Sequence, residues 1–179
     1  MRTMTKTLIS VTAAGLSLIA AGIAQAQQPA ERPAEALGFL IGEWEGTGWA
    51  AGPGGQRSDF RVHEVITSRA SGHGVTMEGT GWADINGEER VVHDAIGLMW
   101  AGYDGAYHIR SVVMQGYSVE TAVEVGDNRF QWGFDAGPMG EMRYTTTVED
   151  GVWREVGERR ADANSDWDVF LEMTLVRVD

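Results

Sequence analysis

The chain is short of several residue types, and each shortage excludes a class of chemistry. Its 179 residues include no cysteine and only four prolines. Without cysteine it has no disulfide framework, thiolate nucleophile or cysteine-ligated metal. Basic residues are also few: 14 Lys and Arg stand against 26 Asp and Glu, a net charge of −12. This charge opposes electrostatic binding to nucleic acid or to an anionic membrane surface, so we expect neither partner.

The first 26 residues have the pattern of a secretory signal peptide. Arg2 and Lys6 precede an apolar run from Leu8 to Ala24, and Ala24-Gln25-Ala26 is a cleavage signal. The run is too short and too rich in small residues for a stable membrane anchor. Cleavage after Ala26 predicts a periplasmic or secreted protein. It would remove the only lysine and leave 12 arginines against 26 acids, a net charge of −14.

The rest of the chain is predicted to be all-β. Residues 27–36 are expected to be a flexible N-terminal segment, and residues 37–179 one domain. Apolar and polar residues alternate there between breaks rich in glycine and Asx residues, and this pattern is typical of strands joined by tight turns. The predicted strands are 42–50, 57–68, 73–82, 90–100, 105–113, 117–125, 129–135, 139–149, 151–160 and 166–178. Such an antiparallel meander of about ten strands leaves no free edge if it closes into a β-barrel.

One hexapeptide, Glu-Gly-Thr-Gly-Trp-Ala, occurs twice, at 45–50 and at 78–83. A third copy is lacking, which excludes a repeat array. Glycines at alternate positions of a strand allow the bending and close packing that a small barrel needs.

Four later strands alternate clearly enough to predict which residues line the interior. The expected inward sets are Tyr117, Val119, Thr121, Val123 and Val125; Phe130, Trp132 and Phe134; Met142, Tyr144, Thr146 and Val148; and Trp167, Val169, Leu171, Met173 and Leu175.

The earlier strands mix polar and apolar residues on both faces and contain all four histidines. Polar groups among apolar residues inside a barrel are typical of a small-molecule site. The residues that we expect to bind a ligand are Arg61, Met77, Glu78, Met99, Tyr107, Arg110, Trp132 and Tyr144.

The start and end of the domain resemble lipocalin-like (calycin) barrels. Gly42-x-Trp44 follows the apolar turn 37–41, and Arg177 lies in the last strand. The resemblance implies structural roles for Gly42, Trp44 and Arg177, with the tryptophan closing the barrel floor under the arginine. The segments 97–104 and 172–177 further resemble a bacterial family of exported lipocalin-like proteins, a domain family of unknown function.

The chain is also distantly similar to nitrobindin-like barrels, which bind haem through a histidine late in the chain. Here the last histidine is His108. Haem is therefore disfavoured, and we expect no cofactor. The four histidines also lack the spacing of a metal site, so no metal is expected.

Two functions remain as hypotheses. The first is a periplasmic protein that binds a small hydrophobic or amphipathic molecule in the barrel cavity. The alternative is a cavity enzyme, an isomerase, lyase or hydrolase, with His63, His93 and His108 as acid–base candidates. Asp94, Glu78 or Glu64 would pair with a histidine from a neighbouring strand, because His93 and Asp94 point to opposite faces.

Overall fold

The computed structural model describes residues 32–52 and 54–178. The predicted signal peptide, residues 1–26, lies outside the described residues. A short helix, α1 (Pro33–Ala36), precedes ten strands. The strands are β1 (Gly42–Ala51), β2 (Arg57–Arg69), β3 (Gly74–Ile85), β4 (Glu88–Ala101), β5 (Tyr107–Val113), β6 (Ser118–Gly126), β7 (Arg129–Asp135), β8 (Glu141–Glu149), β9 (Val152–Arg160) and β10 (Asp168–Arg177).

The ten strands form a closed antiparallel barrel. Each strand pairs with its neighbours in sequence, and β1 also pairs with β10, with Trp44 opposite Arg177 and Ala50 opposite Leu171. Every strand edge is therefore hydrogen-bonded to another strand. The predicted all-β, lipocalin-like barrel is confirmed.

Tight turns hold consecutive strands in register. Asn86 and Gly87, between β3 and β4, have φ values of 60° and 85°. Asp150 and Gly151, between β8 and β9, have φ values of 51° and 76°. Two successive positive φ angles are the geometry of the type I′ turns that match the twist of a hairpin, and Asx-Gly pairs adopt it most readily.

The chain seals one end of the barrel, which we call the closed end, before β1 begins. Leu37 and Leu40 follow α1 and are fully buried among interior residues that include Trp44 and Val75. Of the segment predicted to be flexible, residues 27–31 lie outside the described residues, and residues 33–36 form α1. Pro33 lies in the first turn of α1, where its missing N–H is not needed, and it is itself buried.

An arginine, a tryptophan and a glycine complete the closed end. The guanidinium carbon of Arg177 lies 4.3 Å from the centre of the Trp44 ring. The same guanidinium donates hydrogen bonds to the carbonyls of Ile41, at 2.5 Å, and Phe39, at 2.9 Å. A Cβ at Gly42 would lie 2.2 Å from Nη1 of Arg177, and Gly42 has a φ of 145°. Glycine therefore fits this position where a larger residue would not.

A β-bulge in β10 corrects part of the predicted interior. Val169 pairs with Glu158, but the next partner of β9 pairs with Leu171, so Phe170 is an extra residue. Residues on the two sides of the bulge consequently switch faces. Val169 is 42% exposed, and Arg143 and Arg160 stack on the Trp167 ring outside the barrel. The inward prediction was wrong for these two residues.

Tyr117 also departs from the predicted inward set. It precedes the first residue of β6 and is 76% exposed in the β5–β6 turn. The other four members of its set, Val119 to Val125, lie at alternate positions of β6 and are buried or half-buried.

Candidate functional site

The barrel interior has two unlike halves. At the closed end Trp44, Ile66, Val75, Met99 and Leu175 are all at most 2% exposed. At the opposite end, which we call the open end, several inward-facing side chains, among them Phe60 and Phe134, are half-buried. Chain connections including β1–β2, β3–β4 and β9–β10 surround this open end, and α1 does not reach it.

Four aromatic rings form one side of the open half, and we call them the aromatic wall: Trp132, Phe134, Tyr144 and Phe170. The Trp132 and Tyr144 rings are stacked with their centres 4.9 Å apart, and the Phe134 ring is stacked 5.8 Å from Trp132. Phe170, the bulge residue, meets Tyr144 edge-on at 5.7 Å. All four are half-buried, so part of this apolar surface remains accessible.

Two glutamates point into the same interior, and we call them the carboxyl pair: Glu64 on β2 and Glu155 on β9. Glu64 lies between Trp44 of β1 and Gly79 of β3 in the hydrogen-bonded register. A Cβ at Gly79 would lie 2.5 Å from a carboxyl oxygen of Glu64. Gly79 belongs to the second copy of the duplicated hexapeptide. Because it has no side chain, it leaves room for this carboxyl group.

The Glu155 carboxyl accepts a hydrogen bond from a fully buried hydroxyl group. Thr146 Oγ1 of β8 donates to Glu155 Oε2 at 2.7 Å. The Trp153 indole, on the same face of β9, lies near enough to favour the charged carboxylate. Its N–H nevertheless makes no hydrogen bond of acceptable geometry. We therefore treat this N–H as a nearby donor without an acceptor.

Burial shifts the acid–base behaviour of this region. Desolvation, followed by repulsion from Glu155, raises the pKa of Glu64 to about 8. Burial also raises the pKa of Glu155, and the Thr146 hydrogen bond opposes that rise. The pKa of Tyr144 is raised to about 12 by burial and then by the Glu155 charge. Tyr144 therefore stays a neutral phenol near the carboxyl pair.

No basic side chain within residues 32–52 and 54–178 forms an ion pair with either member of the carboxyl pair. The ion pairs of the described chain involve other acids, for example Arg61 with Glu89 and Arg143 with Glu158. A buried carboxyl group without a cation is costly when charged, which accounts for the direction of both pKa shifts.

The three candidate histidines do not meet in one cavity. His63 is on the outer face, where its Nε2 lies 2.7 Å from Glu43 Oε1. His108 is also outside, stacked on Trp100 at 5.7 Å and 3.2 Å from Asp104. His93 pairs with Gly81 on the inner side of β4 near the open end, where its side chain is exposed, and partial desolvation lowers its pKa.

The polar members of the expected binding set lie outside as well. Arg61 contacts Glu89 at 2.6 Å, and Arg110 lies 3.6 Å from Glu120. Glu78 is exposed on the outer side of β3.

The apolar and aromatic members lie inside. Met99 is fully buried at the closed end, and Met77 and Tyr107 pack against the interior core. Trp132 and Tyr144 belong to the aromatic wall.

Glu155 was not among the site residues predicted from the sequence, and Glu64 was predicted only as a partner of a histidine. For each glutamate the sequence pattern indicated an inward position. Glu155 alternates with Trp153, and Glu64 lies two residues from both Val62 and Ile66, so each shares a face with buried apolar residues. Glutamate is so often exposed that the same pattern also fits an outward residue.

A groove of about 700 Å³ lies on the outer face, lined by strands β10, β1, β2 and β3. It contains Trp49 and Trp82, the tryptophans of the duplicated hexapeptide. Protein groups already contact both rings: Arg57 stacks on Trp49 at 3.6 Å, and Arg61 lies 5.3 Å from Trp82. The interior is thus the better candidate site.

Residues 32–52 and 54–178 lack two further features. No group of three or more His, Cys, Asp and Glu side chains there is arranged to hold a metal ion. Nor does this part contain a helix with the length and hydrophobicity needed to cross a membrane.

The barrel is similar to solved structures of very different sequence. Rv2717c from M. tuberculosis superposes with a TM-score of 0.62 at 13% identity, over 84% of this chain and 99% of that one. The S-type phycobiliprotein lyase CPES from Guillardia theta gives a TM-score of 0.42 at 10% identity, over 81% of this chain and 92% of that one. No protein-family model and no curated protein sequence matches the chain. At this identity the first likeness shows a shared fold, and the second is too weak to carry an argument.

Proposed function

We propose that the protein binds a small hydrophobic or amphipathic molecule in the open half of its barrel. The observation that carries this proposal is the half-buried aromatic wall inside a barrel whose other end is sealed. Apolar surface left in contact with water is unfavourable by roughly 25 cal/mol per Å², so a ligand that covers the rings gains that free energy. A concave, mainly apolar site with a few inward polar groups has the usual composition of a ligand pocket.

We also propose that this binding takes place after export, in a bacterial periplasm. Support comes from the sequence pattern of residues 1–26. The mass of the mature protein, purified from a bacterium that expresses the full chain, tests this part. Cleavage after Ala26 is expected, and an uncleaved chain in the cytoplasm would contradict it.

Binding is tested with the mature protein and N-phenylnaphthylamine, a neutral apolar dye that fluoresces when it leaves water. Trp132→Ala removes a ring of the aromatic wall, whereas Trp82→Ala removes an outer ring of the same type. We expect Trp132→Ala to weaken dye binding about tenfold or more, and Trp82→Ala to leave it unchanged. Circular dichroism of both variants checks that the barrel is folded, and Tyr144→Leu provides a second wall variant if Trp132→Ala does not fold.

Mass spectrometry of an organic extract of the purified protein then shows whether a small molecule is carried from the cell. A folded protein that carries no small molecule and binds no apolar dye would overturn the proposal. Equal losses of dye binding in Trp132→Ala and Trp82→Ala would also overturn the interior location.

A further inference from the structure

The carboxyl pair distinguishes this interior from a purely apolar pocket. Glu64 on β2 and Glu155 on β9 are separated around the closed barrel only by β1 and β10, and they are close enough for the charge of one to act on the other. Glu64 makes no hydrogen bond within the described residues, while Glu155 accepts one from Thr146. The interior therefore presents acceptor oxygens for which the protein supplies no cation.

We propose that the barrel holds a hydrophobic amine, with its ammonium group between Glu64 and Glu155 and its apolar part against the aromatic wall. This inference rests on the proposed function and names the chemical class of the ligand. The match has two parts. Carboxyl oxygens accept charge-assisted hydrogen bonds from an ammonium group. The faces of aromatic rings attract cations, and that attraction is larger away from water.

Groups around Glu155 favour its carboxylate form once a cation is present. Thr146 donates to it, and the nearby Trp153 indole, 4% exposed, has an N–H that lacks an acceptor. The Thr146 hydroxyl would remain directed at a carboxylate that an ammonium ion neutralises, with the Trp153 N–H close by. An anionic ligand would instead gain no charge-assisted hydrogen bond from the pair and would be repelled by either member in its carboxylate form.

Other titratable groups on the inner faces of the packed strands do not already serve as the counter-ion. Arg177 of β10 is bonded to the carbonyls of Ile41 and Phe39 at the closed end. Arg159 of β9 lies 6.0 Å from the Phe170 ring, and His93 of β4 lies near the open end. Neither forms an ion pair with Glu64 or Glu155 in residues 32–52 and 54–178, and Tyr144 is a neutral phenol.

Binding would release a proton. In the empty protein burial keeps Glu64 largely protonated at neutral pH. When an ammonium ion enters, one carboxyl group gives its proton to the buffer and becomes the paired carboxylate, so the net charge of the site is unchanged.

The experiment compares octylamine, octanol and octanoate, which share one alkyl chain and differ in the head group, by calorimetry near pH 8. We expect octylamine to bind about tenfold to a hundredfold more tightly than octanol, as a charge-assisted hydrogen bond predicts, and octanoate to bind most weakly. Titration near pH 7 in phosphate and in Tris, whose ionisation enthalpies differ, should show a proton released with octylamine and none with octanol.

Glu64→Gln and Glu155→Gln are the test variants, and Glu78→Gln, outward on β3, is the matched control. The test variants should bind octanol as before and lose the preference for octylamine, whereas the control should keep it. The inference is overturned if octanol binds as tightly as octylamine, or if both test variants retain the preference. If none of the three compounds binds the folded protein, the proposed function fails as well.

Discussion

The two halves of the barrel interior differ in how deeply their side chains are buried and in how polar they are. The closed half consists of fully buried apolar side chains beneath a plug, with Leu37 and Leu40 at 0% exposure. The open half has half-buried aromatic rings, and the carboxyl pair lies deeper, with Glu64 opposite Trp44 in the register; both features lower the stability of an empty barrel. The difference teaches that stability and the candidate site are separated along the barrel axis. Substitutions in one half should therefore affect stability, and those in the other should affect binding.

Trp44→Ala should have the largest effect on stability. Trp44 is fully buried, donates a hydrogen bond to the Leu40 carbonyl at 2.8 Å and meets Trp153 edge-on at 5.5 Å. Truncation of such a ring costs about 3–5 kcal/mol, which urea denaturation would measure. The fraction that remains folded should bind the apolar dye with unchanged affinity. Weaker binding by a folded Trp44→Ala protein would break the separation of the two halves.

Glu64→Gln should raise the free energy of unfolding rather than lower it, and the size of this gain should depend on pH. The native pKa of Glu64, about 8, lies above the unfolded value of 4.5, so the native state holds more protons between these pH values. The free energy of unfolding therefore falls as pH rises from about 5 to about 8, and the loss is complete above that range. Burial of Glu155 adds a dependence of the same sign.

The variant lacks the Glu64 titration, so its stability curve should be flatter. Near pH 9 it should be more stable than the wild type by on the order of 2–4 kcal/mol. Denaturation curves across the pH range provide the measurement, with Glu78→Gln as the control. A variant whose stability falls with pH as steeply as the wild type would show that Glu64 is not held neutral by burial.

The architecture could largely be predicted from the sequence, because alternation and turn residues act locally. The Asx-Gly pairs at 86–87 and 150–151 mark hairpins in the sequence and form them in the structure. The bulge at Phe170 could not be predicted in this way, since it depends on pairing with β9.

The candidate site was harder to predict for a related reason. The chemistry of polar residues such as His63 makes them site candidates. Whether such a residue faces the interior, however, depends on its register with neighbouring strands.

Arg177→Lys should have a moderate effect at the closed end. Lysine keeps the charge but loses the planar group that reaches two carbonyls while it stacks on Trp44. We expect a loss of about 1–3 kcal/mol in the free energy of unfolding, with dye binding unchanged. Arg110→Lys, on the outer face, is the control. A loss as large in that control would indicate a general effect of arginine replacement.

Thr146→Val should have the smallest effect on stability. Valine has nearly the same shape as threonine, so the change mainly removes the donor to Glu155. We expect a loss of about 1 kcal/mol, measured by thermal or urea denaturation. The pKa of Glu155 should also rise further, which carbon-13 NMR of its carboxyl group would detect. An unchanged carboxyl titration would show that the hydroxyl group does not stabilise the carboxylate.

Methionine-methyl NMR during a titration with octanol tests the central claim most directly. Met142 lies beside the aromatic wall, with its sulfur 3.9 Å from the Tyr144 hydroxyl, whereas Met99 is fully buried in the closed half. The account predicts that the Met142 methyl signal shifts and saturates with added octanol while the Met99 signal stays in place. A saturating shift of Met99 without one of Met142, or no saturating shift of either, would contradict binding in the open half.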